Sequence, residues 1–558
     1  MKLMLNLIAA IETKLQQILS DKIKGLFVAH GLDPQKMERF AIEYTPNKPF
    51  GDFASNIAMV NAKHLQQPPQ KIAEMIASEI NLAGTQLKEA TVRSGFINFR
   101  MANDFYKTAL GSINEMLAEN PQKQKRIILE YVSANPTGPM HLGNARGGAI
   151  GDCLGNIMAR AGYSVTKEFF VNDSGNQVAL FKQSLDARLL QELKGEQIVE
   201  FPEDGYHGAD IKQLAHEYIA QHGDEPLESS TTVRETALLN YALEHNIANM
   251  VAVLEKYRVR YDSWFKESSL IESAAVKDVI MRLSQKGLTY TKDGALWYRF
   301  SKANENTKDE VLERANGKYT YFATDIAYHA NKLEKRKFDR CINIWGADHH
   351  GHVERLKNAL LDLGIDPARL TVLLMQVVRL VKDGKVVKMS KRSGNAVTLE
   401  DLLDEVSVDA ARFFFNFREI NTHFDFDMDL AIEESNRNPV YYIQYAHARI
   451  CSIMRKAQDI PCVASQPDII FSEPEQELIK CLIAYPVTVE EIATTLNSSL
   501  LDKYLMELAA MFHKFYSTCK VFSDTDAISQ HRLLLCDATR SVLGDGLALL
   551  NISAPQQM

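Results

Sequence analysis

Two short segments of the chain carry residue types suited to chemistry on phosphate groups. Residues 139–144 read PMHLGN, and a glycine-rich run follows them. If this segment opens a helix, its small residues let a ligand approach, the free N–H groups of the first turn attract phosphate, and His141 can donate to developing negative charge. A glycine-rich helix start that only packs on a sheet, capped by His141, fits the same residues equally well.

The second segment, residues 388–395, reads KMSKRSGN. Lys388 and Lys391 lie three residues apart in a predicted loop, where two cations could clamp a triphosphate whose charge must be neutralised during transfer. A Lys-x-x-Lys spacing on its own is more typical of a solvated surface loop. The rest of the string, which includes Met389 and Ser390, is far more specific than that spacing.

A β-α-β pattern predicts where the first segment lies. Residues 127–132 form a short apolar run typical of a buried parallel strand, and residues 165–171 form the next one. Between them, apolar residues recur on a single helical face: Ile150, Cys153, Leu154, Ile157, Met158 and Ala161. The pattern indicates a doubly wound α/β domain, in which ligands bind beyond the carboxyl ends of the strands.

The second half of this domain carries the second segment. Strands are predicted over residues 342–345 and 372–378, with a helix between them. The pair Asp383-Gly384 then predicts a type I′ hairpin that leads into the second segment, and Thr398 is expected to cap the next helix. Helical patterns over about 180–300 interrupt the alternation and are interpreted as an insertion.

Composition narrows the class of protein. The chain has 558 residues, a hydrophobic fraction of 46%, a charged fraction of 24% and a net charge of -8, which together exclude a fibrous or disordered chain. No uncharged apolar run approaches the ~20 residues of a membrane helix, so no membrane association is expected. Apolar residues from Met4 to Leu19 keep helical spacing past Glu12, which favours an amphipathic helix over a signal peptide.

The chain divides into three blocks. Residues 1–118 mix helices with a strand near 95–99, residues 119–400 alternate strands and helices, and residues 401–558 are almost entirely helical. We therefore predict a multidomain α/β protein, with a split, Rossmann-like, doubly wound parallel-sheet domain between an α+β N-terminal domain and an all-α C-terminal bundle. Its seven cysteines form no Cys-x-x-Cys pair, so no zinc site or disulfide framework is predicted, and a reducing cytoplasm fits best.

Together, the two segments resemble the HIGH and KMSKS signature motifs of class I aminoacyl-tRNA synthetases, in the right order and at the right places of a split nucleotide-binding fold. Further strings are similar to those of the arginyl-tRNA synthetase family: residues 51–56 (GDFASN), 129–138 (LEYVSANPTG), 293–298 (DGALWY), 321–325 (YFATD), 409–412 (DAAR) and 438–449 (NPVYYIQYAHAR). The resemblance covers essentially the whole chain. It implies that residues 1–118 contact tRNA, that 119–400 are catalytic and that 401–558 bind the anticodon.

The resemblance also implies a two-step reaction, the ligation of arginine to tRNA. The arginine carboxylate attacks the α-phosphate of ATP, giving arginyl-adenylate and pyrophosphate, and the 2′-hydroxyl of the terminal adenosine of tRNA then attacks the activated carbonyl. The implied partners are L-arginine, an arginine-accepting tRNA, and ATP with bound Mg²⁺. A monomer without structural metal is expected, and bound tRNA is expected to be needed before arginine is activated.

By the same resemblance, Glu130 and Asp325 would bind the guanidinium, since carboxylates suit its planar bidentate geometry. The other arginine contacts are implied for Tyr321, Ser133, Asn135 and either His349 or Asp348. The residues alone leave alternatives open, because paired carboxylates also serve as acid–base pairs, magnesium ligands or salt-bridge partners.

For ATP, the resemblance implies that His141 and the N–H groups after it stabilise the pentavalent phosphorus, while Lys388 and Lys391 draw on the β- and γ-phosphates. The other residues implied at the nucleotide or in catalysis are Gly143, Asn144, Gly346, Asp348, His352, Met389 and Ser390. A metal site at the neighbouring histidines is the alternative for residues 346–352, but their spacing does not match zinc pairs.

Binding of single-stranded bases needs aromatic or flexible apolar side chains. The candidates for tRNA binding are Asn56, Tyr445, Arg449, Tyr516 and the terminal Met558. For each exposed aromatic residue on a helix, packing within the bundle is the alternative.

Two departures from the family motifs keep rival interpretations open. Asn144 stands where the first motif has its second histidine, and Arg392 replaces the usual serine after the second lysine. Asparagine can hydrogen-bond but cannot carry positive charge. One rival is a class I synthetase for another amino acid. The other is a tRNA-binding protein that has lost catalysis, which the retained His141 and Lys391 disfavour.

Overall fold

The structure is a computed structural model of the chain. It describes residues 2–45, 50–119, 122–196, 199–301, 308–387, 397–457, 460, 469–522 and 526–558. No described helix is long and apolar enough to span a membrane.

The N-terminal domain packs helices on a small antiparallel sheet. Its elements are α1 (Lys2–Ala29), a 3-10 turn (Pro34–Lys36), β1 (Ile42–Tyr44), β2 (Phe53–Ser55), α2 (Ile57–Leu65), α3 (Pro69–Ser78), β3 (Leu87–Arg93), β4 (Phe96–Met101) and α4 (Asn103–Ala118). The strand order is β1-β2-β4-β3. The amphipathic helix predicted at the N-terminus is confirmed, since α1 buries one apolar face along its whole length: Met4, Ile8, Ile11, Leu15, Leu19, Ile23 and Phe27.

The middle of the chain alternates strands and helices, as predicted. Its first half contains β5 (Arg126–Glu130), α5 (Leu142–Arg160), β6 (Ser164–Val171), α6 (Gly175–Lys194), α7 (Ala209–His222), α8 (Glu225–Glu228), α9 (Thr231–Lys256), β7 (Ser263–Lys266), α10 (Ser268–Glu272) and α11 (Ala275–Gln285). Its second half contains β8 (Thr289–Lys292), β9 (Ala295–Tyr298), β10 (Glu310–Glu313), α12 (Tyr321–Ala330), a π-helical turn (Asn331–Lys335), β11 (Arg340–Gly346), a 3-10 turn (Ala347–His349), α13 (His350–Leu363), another 3-10 turn (Pro367–Arg369) and β12 (Leu370–Met375).

A five-stranded sheet, ordered β12-β11-β5-β6-β7, forms the centre of this region, and every neighbouring pair in it is parallel. The chain winds outward in both directions from β5 and β11, which is the doubly wound arrangement predicted. The face of α5 predicted from the sequence is buried, with Ile150, Leu154 and Ile157 at most 1% exposed. The switch in winding direction leaves a crevice at the carboxyl ends of β5 and β11, where ligands bind in such folds.

A hairpin and two helices follow the sheet: β13 (Val378–Lys382), β14 (Lys385–Val387), α14 (Leu399–Glu405) and α15 (Val408–Asn416). The hairpin prediction is confirmed, since Asp383 and Gly384 both have positive φ, at 52° and 68°. Then come β15 (Phe424–Asp427), α16 (Met428–Ile432) and the long helices α17 (Pro439–Lys456), α18 (Glu473–Thr495), α19 (Ser499–Thr518) and α20 (Asp526–Leu549).

Three details differ from the sequence predictions. The predicted strand 372–378 is two strands, because β12 ends at Met375 and β13 starts at Val378. The interval 180–300, interpreted as an insertion, contains β7, whose apolar Trp264 and Phe265 pair it with β6 as an edge strand of the central sheet. The C-terminal block, predicted to be almost entirely helical, includes the strand β15, which pairs in parallel with β13.

The three blocks share packing. One apolar core runs from the N-terminal domain through α5 into the C-terminal helices. A buried ion pair also links the ends of the chain, since Lys480 Nζ on α18 lies 2.5 Å from Asp52 Oδ1 of the N-terminal domain. In the described part of the chain the cysteines are buried and free.

Candidate functional site

The first segment forms the strand-to-helix turn that the sequence predicts. His141 is exposed directly before α5, and its backbone N–H donates to Asn144 Oδ1 at 2.9 Å. A side chain added at Gly143 would meet nothing within 4 Å, so the opening of the helix is accessible to a ligand. Asn144, which departs from the motif, therefore caps the first turn of α5 beside His141. This role needs a hydrogen-bond acceptor and no charge.

The second segment lies outside the described residues, including Lys388, Met389, Ser390 and Lys391. Both of its flanks are described. On the far side, Val397 O accepts from Leu142 N at 3.3 Å, and Leu399 N donates to Met140 O at 3.0 Å. Thr398 caps α14, as predicted, and pairs with His141. The chain therefore leaves the second segment directly beside the first.

A buried arginine of α5 contacts the strands on the near side of that segment. The Arg146 guanidinium is fully buried and donates to Gln376 O at 2.9 Å, Thr422 O at 3.0 Å and Glu419 O at 2.8 Å. Gln376 leads into β13, and Thr422 leads into β15. Burial lowers the pKa of Arg146 to about 10, and the guanidinium stays charged at neutral pH. This helix therefore contacts both flanks of the second segment.

The end of β5 is an unusual turn. The strand stops at Glu130, two residues earlier than predicted, because Val132 and Ser133 adopt φ values of 68° and 44°. A β-branched residue rarely occupies this left-handed region, so the turn is strained. Ser133 Oγ donates to Glu130 Oε1 at 3.2 Å and accepts from Phe170 N at 3.2 Å.

Glu130 already has a cationic partner within the protein. Its Oε2 lies 2.6 Å from Lys332 Nζ, and both side chains are at most 6% exposed. Asn135, also predicted at the arginine, is hydrogen-bonded to Gln177, and its Oδ1 accepts from Asn172 Nδ2 at 2.7 Å. The structure thus brings Ser133 to Glu130, binds Asn135 to Gln177 and Asn172, and pairs Glu130 with Lys332.

The opposite wall borders a cavity of about 310 Å³. Glu267, Tyr321 and Thr324 line this cavity, and the basic Arg314 and Lys318 line it as well. We call the group formed by Glu267, Tyr321 and Thr324, together with the adjoining Asp325 of α12, the strand-end pocket. Tyr321 is 47% exposed at the cavity, and Glu267 is buried at the carboxyl end of β7. Burial raises the pKa of Glu267, and the negative charge of Asp325 raises it further. Two acids close enough to repel one another favour a cationic guest.

The histidines after β11 differ in their contacts within the protein. His352 Nε2 lies 2.6 Å from Asp325 Oδ2, so His352 completes the acidic wall, although the sequence assigned it to ATP. His349, assigned to arginine, is more exposed, and its nearest acid is Asp348 at 3.8 Å. In the part of the chain described, no three His, Cys, Asp or Glu side chains are arranged to hold a metal ion.

Two functional candidates escaped the sequence prediction. Glu267 lay in the interval interpreted as an insertion, although the run Ser263–Lys266 before it has the length and composition of a strand. A glutamate at the carboxyl end of such a strand was the available signal. Lys332 gave no signal, because only the fold brings it to Glu130.

On α17 and α19, three residues predicted to contact tRNA lie together, and we call them the aromatic platform: Tyr445, Arg449 and Tyr516. The Arg449 guanidinium carbon lies 4.9 Å from the ring centre of Tyr445 and 5.0 Å from that of Tyr516. Tyr516 is 39% exposed. The C-terminal segment runs along α17, where Pro555 O contacts His447, and it ends at the exposed Met558. Partly exposed aromatic rings beside an arginine can stack on bases.

Asn56 plays a structural part in the N-terminal domain, because its Oδ1 accepts from Ala41 N at 2.8 Å. Beside this domain's sheet, the Arg93 guanidinium lies 3.7 Å above the ring of the exposed Phe50. A cation beside an exposed ring is a combination that can bind RNA. Phe50 and Arg93 were not among the candidates identified from the sequence.

Comparison with known proteins gives consistent results. Three family models match: "Arginyl tRNA synthetase N terminal domain" over residues 11–101, "tRNA synthetases class I (R), catalytic domain" over 107–459 and "DALR anticodon binding domain" over 443–558. The arginine–tRNA ligase of Acetivibrio thermocellus is 43% identical and covers 100% of both chains. That of Carboxydothermus hydrogenoformans is 46% identical over 94% of this chain and 96% of its own. The Thermus thermophilus arginyl-tRNA synthetase structure superposes with a TM-score of 0.72 at 24% identity, over 98% of this chain and 100% of its own.

Proposed function

We infer the roles of the described residues from one premise: the chain belongs to the arginyl-tRNA synthetase family of class I synthetases, and its activity is the ligation of arginine to tRNA. The class I catalytic domain implies that ATP is used. We assign each step of this reaction to the residues whose position and charge suit its chemistry.

Arginine is bound in the strand-end pocket. Asp325 and Glu267 accept from the guanidinium, and Tyr321 lies along the side chain, because Glu267 and Tyr321 line a cavity of about 310 Å³ and the charge of Asp325 acts on Glu267. Because Glu130 is already paired with Lys332, we do not assign it to the guanidinium of the substrate. Ser133 and Asn135, on the strained turn, then face the amino and carboxylate groups. The cavity between Glu267 and Tyr321 is the observation that carries this assignment.

ATP binds at the opening of α5. The N-terminus of α5 and His141 face the α-phosphate, where negative charge develops as the arginine carboxylate attacks. Lys388 and Lys391 are proposed to neutralise the β- and γ-phosphates. Residues 346–352, after β11, are proposed to line the nucleotide, except that His352 orients Asp325. Mg²⁺ is expected to arrive with the phosphates, since ATP offers it oxygen ligands that the described residues do not assemble.

The transfer step needs only positioning of the terminal adenosine of tRNA over the adenylate. Its 2′-hydroxyl attacks the activated carbonyl, and AMP leaves. We propose that residues 1–118 bind the outer corner of tRNA, with Phe50 and Arg93 as contacts. Residues 401–558 are proposed to bind the anticodon loop through the aromatic platform and Met558. A cytoplasmic monomer that activates arginine only with tRNA bound remains our expectation.

The test is aminoacylation of total tRNA with one labelled amino acid at a time. Arginine alone should be incorporated, and ATP–pyrophosphate exchange with arginine should require tRNA. Incorporation of lysine at a comparable rate would contradict the guanidinium assignment, because a point charge would then satisfy the pocket. Failure of Asp325→Asn to raise the KM for arginine in folded enzyme would contradict the assignment of the pocket.

A further inference from the structure

Lys332 is a fully buried cation that none of the proposed reaction steps uses. It lies in the π-helical turn that continues α12, where Arg336 N donates to Asn331 O at 2.8 Å. Its Nζ is 2.6 Å from Glu130 Oε2 and 3.8 Å from the ring centre of Tyr328. Burying an ion pair costs more desolvation free energy than burying two apolar residues. The presence of the Glu130–Lys332 pair at the end of β5 therefore indicates that it has a function.

The strained turn after β5 is in contact with Glu130. Val132 and Ser133 are both held at positive φ, and the Ser133 hydroxyl is fixed between Glu130 Oε1 and Phe170 N, at 3.2 Å each. Strain of this kind persists only where neighbouring groups over-determine it. The chain of contacts therefore runs from Lys332 through Glu130 to Ser133, and the next residues lead to Asn135 and the arginine site.

The surroundings of Glu130 explain why a cation is needed. Burial and the charges of Glu168 and Asp325 raise the pKa of Glu130, while Lys332 lowers it. The other titratable groups nearby do not neutralise the charge of Glu130. Arg336 and Tyr328 both bind Glu168, and burial lowers the pKa of His329, so that it stays neutral. Among the described neighbours, Lys332 is the cation that binds Glu130.

We propose that Lys332 is a positioning residue for arginine activation: through Glu130 it fixes the strained Val132–Ser133 turn that presents the amino-acid site. The proposal rests on the placement of arginine at these strand ends. It assigns to Lys332 no contact with arginine, ATP or tRNA.

The test is a double-mutant cycle at the pair. Lys332→Met leaves Glu130 buried and unpaired, and kcat/KM for arginine should fall about 100-fold, with the KM for ATP changed less than about threefold. Glu130→Gln combined with Lys332→Met removes both charges, keeps an acceptor for Ser133, and should recover at least about tenfold of that loss. The activity of Lys332→Met relative to the parent should also rise towards pH 6, as Glu130 takes up a proton.

Arg234→Met is the matched control. Arg234 Nε and Asp186 Oδ1 form a buried pair at 2.6 Å between α9 and α6, away from the strand ends. This variant should lose thermal stability and leave the KM for arginine unchanged.

Three results would overturn the proposal. Lys332→Met could lose only thermal stability, with unchanged arginine kinetics. The double variant could be folded and no more active than Lys332→Met, which would mean that the cation itself is required. If Lys332→Met does not fold, the double variant alone is measured. A folded double variant whose kcat/KM for arginine is at least 100-fold below that of the parent would then overturn the proposal. The assignment of the pocket fails separately, if Asp325→Asn leaves arginine binding intact.

Discussion

The strand-end pocket and the aromatic platform recognise different chemistry by different means. In the pocket, charged groups are mostly buried and set at hydrogen-bond distance, as His352 is to Asp325 at 2.6 Å. On the platform, Arg449 and the ring of Tyr516 lie 5.0 Å apart at the surface, and solvent screens their charge. Removing one desolvated charge leaves its partner unsatisfied, whereas removing one surface ring loses only its own contact. The pocket should therefore respond to mutation steeply, and the platform gradually.

The largest effect is expected from Glu267→Gln. It removes one of the two acids that face the guanidinium and keeps the size of the side chain, so kcat/KM for arginine should fall about 100- to 1000-fold. Steady-state ATP–pyrophosphate exchange with tRNA present measures this, and the KM for tRNA should not change.

Glu272→Gln is the control for Glu267. Glu272 is exposed at the end of α10, five residues further along, and its variant should match the parent. If both variants changed kcat/KM for arginine by the same small amount, the assignment of Glu267 to the strand-end pocket would be wrong.

The next effect is expected from Arg146→Gln, which removes the guanidinium that donates to the backbone carbonyls of Gln376, Glu419 and Thr422. Because Arg146 connects α5 to the strands that lead into the second segment, arginine activation should fall about tenfold or more. Transfer of arginine from preformed adenylate to tRNA, measured in a single turnover, should change much less.

Arg160→Gln provides the comparison at the other end of α5. Arg160 donates to Leu117 O and Glu119 O, both at 2.8 Å, far from the second segment. Both variants should lower the melting temperature, and only Arg146→Gln should slow activation. If Arg160→Gln slowed it equally, the effect would be one of stability alone.

A smaller effect is expected on the platform. Tyr516→Ala removes one stacking surface, so the KM for tRNA should rise about tenfold, with the KM for arginine unchanged. Arg449→Gln should weaken binding to a similar degree and flatten its dependence on salt concentration. An arginine KM that moved as much as the tRNA KM would mean that the two regions are not independent.

The smallest effect concerns a buried acid whose hydrogen-bond partner is an amide, in contrast to Glu130, which is bound to a lysine. Asp502 on α19 is fully buried and hydrogen-bonded to Asn416, and burial raises its pKa well above the ordinary value. The folded state thus binds this proton more tightly than the unfolded chain, so stability falls as pH rises above the unfolded pKa of about 4. Asp502→Asn should raise the free energy of unfolding in urea at pH 7 and lose that advantage at pH 4.

Many helices and turns of this protein could be predicted from the sequence, because each is determined by residues that are neighbours in the chain. The apolar face of α5, the turn at Asp383-Gly384 and the cap at Thr398 each follow from a few neighbouring residues, and the structure confirms them. Tyr445 and Arg449 are neighbours through the helical spacing of α17, whereas only the packing of α19 on α17 brings Tyr516 to them.

The acidic wall could not be predicted in the same way. The order of strands in the sheet brings Glu267, at the end of β7, close to Asp325 of α12, and it brings Glu130 of β5 to Lys332 of the turn after α12. No local pattern distinguishes a glutamate that faces a substrate from one that an internal lysine neutralises. The early end of β5 was hidden for a related reason, since Val132 favours a strand and only the surrounding contacts hold it at positive φ.

The measurement that tests the account most directly compares arginine with citrulline, whose urea group has nearly the shape of a guanidinium but no charge. Charging of tRNA by each is measured with the parent enzyme and with Asp325→Asn. The parent should prefer arginine strongly, and Asp325→Asn should reduce that preference at least about tenfold, mainly through the loss of arginine charging. A preference that Asp325→Asn leaves unchanged, in enzyme that is folded and binds tRNA, would contradict recognition of arginine by the strand-end pocket.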